Sequence, residues 1–217
     1  MIKGVLFDVG GVLVRTCDQS ARGAWEVRLG LKPGGLAELV FDSQLGQAAQ
    51  LGQATLDDVW AWLATHLGLS QDEMTALRRD FWAGDRLDRK LCDYIRRLRP
   101  NYRTAMLSNN WVRDGLAMAQ ELGIADCFDV FVTSAGLGVM KPDARIYHAT
   151  LERLEITPPE ALFVDDFMEN VEAARRLGMQ AIHFVDPAQI YRQLEDRLCI
   201  SGDFKGGSSY GATPRFL

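Results

Sequence analysis

The polar residues that could do chemistry in this 217-residue chain stand at the ends of apolar runs. Asp8 closes the run "VLF" and is followed by Gly10 and Gly11. Ser108, Asn109 and Asn110 close a second run, and Asp165 and Asp166 close a third. Lys141 stands just before another helical segment, in "GVMKPDARIY". If those runs are buried strands, several carboxylates, a hydroxyl and a lysine share one edge of a sheet. Unpartnered, such groups are costly to bury. A divalent cation resolves the conflict. One or two carboxylates, a backbone carbonyl and water are the hard oxygen ligands that Mg²⁺ prefers, typically with a phosphate completing its shell.

The elements that must position these residues follow from hydrophobic patterning. Five β-branched or apolar runs read as strands: Ile2–Asp8, Arg103–Ser108, Val130–Thr133, Ala161–Asp165 and Gln180–Val185. From Arg103 onward each strand precedes a helix-period segment: Trp111–Leu122, Asp143–Leu154, Met168–Leu177 and Pro187–Leu198. Asp186 is the expected N-cap of the last, with Pro187 in its first position. Strand–helix alternation predicts an α/β fold, a Rossmann-like doubly wound parallel sheet with helices on both faces.

Between Arg15 and Arg89 the alternation stops. This stretch contains no convincing strand and several helix patterns. One runs from Thr55 to Gly68, with Val59, Trp62, Leu63, His66 and Leu67 on one stripe. Another opens on a capping box, Ser70 with Glu73, and stops at Gly84. The expected organisation is a core of residues 1–14 and 90–200, an inserted α-helical cap of residues 15–89, and a flexible tail of residues 201–217. Open parallel sheets bind ligands beyond the carboxyl ends of their strands, where the insertion leaves and returns. It is placed as a lid.

"FDVGGVL", "MLSNN", "GVMKPD" and "LFVDDFMENVEAA" resemble, in order and spacing, the four motifs of the haloacid dehalogenase superfamily of hydrolases. The cap after the first motif is of that superfamily's helical type. The closest likeness is to its phosphatase branch, which includes the amino-terminal domain of soluble epoxide hydrolases. This resemblance implies Mg²⁺-dependent hydrolysis of a small phosphorylated metabolite. Asp8 would be the nucleophile, forming an aspartyl-phosphate that water then hydrolyses. The backbone at Gly10 and Gly11 would approach the phosphate oxygens, and the carbonyl of Gly10 would bind the metal. Ser108 would donate to the transferring phosphoryl group, with Asn109 beside it on the substrate. Lys141 would pair with Asp8 and the phosphate. Asp166 would ligate the metal directly, with Asp165 in support.

One position departs from the pattern. The phosphatase motif carries a second Asp two residues after the first, which protonates the leaving group; here that position is Gly10. General acid–base catalysis is worth about a hundred- to ten-thousand-fold. Three readings follow: a phosphatase with another proton source, a haloacid dehalogenase whose leaving group needs no proton, or a catalytically weakened protein that binds a phospho-ligand or a partner. The acid pair argues against the second, whose chemistry runs without metal. The retained motif residues argue against the third.

Each of these residues also has an ordinary structural role to weigh. Ser108 and Asn109 could simply cap the helix expected at Trp111, and the acid pair could cap the helix that follows it. Trp25, Trp60, Trp62, Phe81 and Trp82 fit a cap core, and Arg15, Arg22 and Arg28 fit exposed charge. With 24 Lys and Arg against 29 Asp and Glu, the net charge is −5 and no basic run is long enough to grip nucleic acid. No apolar run reaches membrane-spanning length. Four scattered cysteines without a CxxC pair, and no leader pattern, place the expectation in a reducing, cytoplasmic compartment. Oligomeric state is not legible.

Overall fold

The computed structural model describes residues 1–200; the tail expected at 201–217 lies outside them. In chain order the elements are β1 (Gly4–Phe7), β2 (Val14–Thr16), α1 (Ser20–Arg28), α2 (Gly35–Phe41), α3 (Gln44–Gln50), α4 (Leu56–Leu67), α5 (Gln71–Trp82) and β3 (Asp85–Leu87). Then follow α6 (Arg89–Leu98), β4 (Arg103–Ser108), α7 (Gly115–Leu122), β5 (Val130–Thr133), α8 (Ser134–Leu137), α9 (Ala144–Leu154), β6 (Ala161–Asp165), α10 (Met168–Arg176), β7 (Gln180–His183) and α11 (Ile190–Leu198).

The five longer strands form one parallel sheet in the order β5-β4-β1-β6-β7. This is the doubly wound α/β fold that the alternation predicts. The central strands are buried on both faces, hence apolar throughout rather than alternating. Strand geometry sends successive side chains to opposite faces. Val5, Phe7, Leu162 and Val164 accordingly join one apolar cluster, with Leu91 and Ile95 of α6 and Leu194 of α11. Leu6, Ala161 and Phe163 join the other, with Ile146 and Leu151 of α9 and Val171 of α10. The topological switch falls at β1, between β4 and β6, so the carboxyl ends of these three strands border one crevice.

Helices α1–α5 gather around a third cluster containing Trp25, Trp60, Leu63, Leu77, Phe81 and Trp82. Both N-termini of the longer helices carry full capping boxes, Thr55 with Asp58 and Ser70 with Glu73. On α4 the buried stripe is Val59, Trp60 and Leu63. His66 instead lies exposed and stacks on Trp62.

Three expectations need correction. The stretch after Arg15 does contain strand: β2 and β3 pair antiparallel, Val14 with Leu87 and Thr16 with Asp85. Three-residue strands are too short to show a period. The helix expected from Trp111 starts at Gly115, because Asp114 accepts from the N–H groups of Leu116 and Ala117 and sets the cap there. The last helix starts at Ile190; Asp186 spends its carboxylate on Ala188 N and Gln189 Nε2 in the preceding turn.

Candidate active site

Asp8 is the first residue after β1, and Ser108 and Asp165 are the last residues of β4 and β6. Sheet register therefore brings all three to the crevice, and each is buried. Lys141, in the loop between α8 and α9, is only 2% exposed. Its ammonium lies 2.8 Å from Asp8 Oδ1, 2.7 Å from Asp165 Oδ2 and 3.1 Å from the carbonyl oxygen of Leu107. All three N–H donors thus have acceptors. Burial opposes the charge on Lys141, but the carboxylates of Asp8 and Asp165 outweigh it and raise its pKa.

The acids outnumber that cation. Carboxylate oxygens of Asp8, Asp165 and Asp166 all lie within 4.8 Å of one another. Burial, aided by the charges of Asp165 and Asp166 and opposed by Lys141, pushes Asp8 up to about 7. Burial and Asp165 push Asp166 up to about 6. Asp165 is satisfied by the protein: Oδ2 meets Lys141, while Oδ1 accepts from Phe167 N at 2.8 Å and Asn170 Nδ2 at 2.9 Å. Asp166 is not, for its buried Oδ1 has no donor. An oxygen-only set with surplus negative charge and one bare buried oxygen fits a hard divalent cation.

The two glycines after Asp8 differ. Gly11 has φ +78°, and a Cβ there would lie 2.0 Å from Asp166 Oδ2. Only glycine lets the backbone pass this close to the carboxylate. Gly10 is exposed, and a Cβ there would meet nothing within 4 Å. A side chain could start from this position, where the sequence omits the acid.

Neither Ser108 nor Asn109 caps a helix; Asp114 does that for α7. Asn109 holds the Lys141 backbone from both sides, Nδ2 donating to its carbonyl at 3.0 Å and Oδ1 accepting from its N–H at 2.8 Å. One of its two amide hydrogens and its oxygen are thus engaged on Lys141. Asn170 was not anticipated: it orients Asp165, and its own carbonyl accepts from Tyr147 Oη at 3.0 Å. Its signal was only a polar residue five positions beyond Asp165. His183, at the end of β7, lies with Nε2 2.9 Å from the carbonyl of Asp166.

The helical insertion touches this loop system through rings. Trp111 stacks on Phe41 at 5.6 Å and 18° and packs near Trp82 at 5.9 Å. Arg113 donates to the carbonyl of Gly52. Arg15 and Arg22 are not the exposed charges expected. Arg15 pairs with Asp88 at 2.6 Å, and Arg22 lies over the Phe81 ring at 4.0 Å while donating to the Phe81 carbonyl at 2.7 Å. Arg28 is exposed and pairs with Glu73.

A buried carboxylate at a strand end, a buried lysine and an acid pair meet at the switch point of a parallel sheet. The chain belongs to the haloacid dehalogenase-like hydrolase family, whose model matches residues 2–178. It is 28% identical over 189 residues to the sesquiterpene phosphatase astK of Aspergillus oryzae, covering 85% of this chain and 90% of that protein. It is 27% identical over 191 residues to D-ribitol-5-phosphate phosphatase of Bacteroides thetaiotaomicron, covering 83% and 90%. Among solved structures, a HAD-like hydrolase from Porphyromonas gingivalis superposes with TM-score 0.70 at 26% identity, covering 93% of this chain and all of that one. A B. thetaiotaomicron family member solved with magnesium and inorganic phosphate gives TM-score 0.69 at 20% identity, covering 88% and 100%, which shows the shared fold. Among the described residues no helix is long and apolar enough to cross a membrane.

Proposed function

We propose that the chain is a Mg²⁺-dependent phosphatase of small phosphorylated metabolites, with residues 1–14 and 90–200 as its core and residues 15–89 as a helical cap. The observation that carries this reading is the bare Oδ1 of Asp166 within the three-acid cluster around Asp8. Asp8, Asp166 and the carbonyl of Gly10 would hold the metal, which supplies charge stabilisation to the equatorial phosphoryl oxygens.

The remaining chemistry falls to the chain. The two donors that meet Asp8, Val9 N at 2.7 Å and Lys141 Nζ, both fall on Oδ1. We assign Oδ2 to the attack on phosphorus, giving an aspartyl-phosphate on Asp8. Lys141, fixed by Asp165, faces the charge that develops there. Ser108 stands at the adjacent strand end as a donor to the phosphoryl group. Asp165 acts through Lys141 rather than as a ligand, because its oxygens are already taken.

Position 10 supplies no proton, so the rate should depend steeply on leaving-group pKa. Metal-free dehalogenation is the weaker reading, since it leaves Asp166 Oδ1 unpaired beside two other acids. Phosphate release from a panel of esters, with Mg²⁺ and with EDTA, compared between wild type and Asp8→Asn, tests the proposal. Metal-dependent turnover lost in the variant supports it; turnover unchanged by Asp8→Asn, or halide release without metal, overturns it. The named substrates of the two phosphatase relatives, a sesquiterpene and a ribitol phosphate, differ in polarity at nearly equal identity. They leave the leaving group open.

A further inference from the structure

We infer that the alcohol released by this enzyme is apolar and carries no second charge, an inference that rests on the phosphatase reading. Three independent features of the site surroundings point there.

The first is exposed apolar surface at the site itself. Phe167 and Met168, immediately after Asp166, are 64% and 43% exposed. Large hydrophobic side chains left in water are few among the described residues, and these are the ones adjoining the site. The backbone that carries them is held at the site, because Phe167 N donates to Asp165 Oδ1, the same carboxylate that holds Lys141.

The second is the character of the facing insertion. It meets the loop after Ser108 mainly through rings, Trp111 on Phe41 and against Trp82, with one polar contact, Arg113 donating to the carbonyl of Gly52. Those rings belong to the apolar cluster of the insertion, so the seam between insertion and core is largely apolar.

The third is the distribution of charge. Every Arg and Lys between residues 15 and 88 already has a carboxylate or carbonyl partner within the protein: Arg15 with Asp88, Arg22 with Asp85, Arg28 with Glu73, and the remainder likewise. Lys141 is spent on Asp8, Asp165 and Leu107. Within the insertion, a second phosphate or a carboxylate on the leaving group would therefore have to share a cation that already has a partner.

The test is a series of 4-alkylphenyl phosphates, from methyl through butyl to hexyl, together with 4-carboxyphenyl phosphate and acetyl phosphate. Alkyl length scarcely changes the phenol pKa, so the series reads apolar contact separately from chemistry. The expected result is a KM that falls with chain length, by up to about fourfold per buried methylene, while kcat stays flat. 4-Carboxyphenyl phosphate should have a higher KM than the methyl compound. Phe167→Ser with Met168→Ser, checked for an unchanged melting curve, should flatten the slope. A wild-type KM indifferent to chain length overturns the inference while leaving the phosphatase reading intact, as does a slope that survives both substitutions. Phosphate release from none of the compounds, acetyl phosphate included, overturns both.

Discussion

Asn109 grips Lys141 by the peptide groups on both sides of its Cα, accepting from the N–H and donating to the carbonyl. The two residues are 32 apart in sequence. The loop that carries the lysine is thereby fastened to the end of β4, so the Lys141 ammonium reaches Asp8 from a fixed base. Asn109→Ala should lower kcat by tenfold or more with a smaller change in KM, and destabilise the fold by about 1–3 kcal/mol for two partly buried hydrogen bonds. Steady-state kinetics and a denaturant melt check both. Unchanged kcat in a destabilised protein would make the clamp purely structural.

Adjacent glycines should respond oppositely to one methyl group. Gly11→Ala drives a Cβ into Asp166 and imposes left-handed backbone on alanine. It should raise the Mg²⁺ concentration for half-maximal activity by at least tenfold and lower the melting temperature. Gly10→Ala meets open space, and its metal requirement should stay within about twofold of wild type. Metal titrations of the two variants in parallel decide the matter.

Gly10→Asp adds a carboxylate at a position where a Cβ meets nothing within 4 Å. Hydrolysis of alkyl phosphates, whose leaving alcohols need a proton, should accelerate by up to about a hundred- to ten-thousand-fold. Acetyl phosphate, with a good leaving group, should change little. A plot of log kcat against leaving-group pKa would then lose most of its slope, and equal effects on both substrate types would remove the general-acid account of position 10.

Metal binding should stabilise the protein more at pH 7.5 than at pH 5.5. Asp8 and Asp166 are raised to about 7 and about 6, so in the metal-free fold both hold protons well above the usual carboxylate range. A raised carboxylate pKa makes the metal-free fold lose stability as pH climbs from about 4 through these values. The metal must displace the same protons, so its affinity rises over that window. Melting temperatures with Mg²⁺ and with EDTA across the range give the readout. A hundredfold excess over Kd is worth about 2.7 kcal/mol, several degrees for a chain of this size.

The chemistry was legible where it contradicts hydrophobic patterning. Asp8, Ser108 and Asp165 stand out because apolar strands lead directly into them, and the crossover pattern alone puts all three strand ends on one edge. Adjacent acids of one type could not be told apart: Asp165, the last strand residue, turns to Lys141 and Asn170, while Asp166 one step later keeps a bare oxygen. That division depends on donors 24 and 5 residues away from Asp165. The same holds for Asn109, whose partner is a backbone rather than a side chain and leaves no compositional trace. The ribbon of β2 and β3 escaped because pairing across about 70 residues of helix is non-local, and neither strand is long enough to announce itself.

That ribbon has a consequence for the whole molecule. Cys17 N donates to the carbonyl of Gly84 at 2.9 Å, and the chain passes so close that a Cβ on Gly84 would lie 1.7 Å from the carbonyl oxygen of Asp18. The outgoing and returning backbones of α1–α5 therefore meet in a pinch no wider than a hairpin. Polymer closure at such a point costs only logarithmically with the length enclosed. What hangs beyond the pinch can lengthen or shorten at little entropic cost to its ends, while Trp111 and Arg113 still tie it to the loop after β4. The residues around Asp8 and the helical insertion are thus joined at two places, the ribbon of β2 and β3 and the loop after β4.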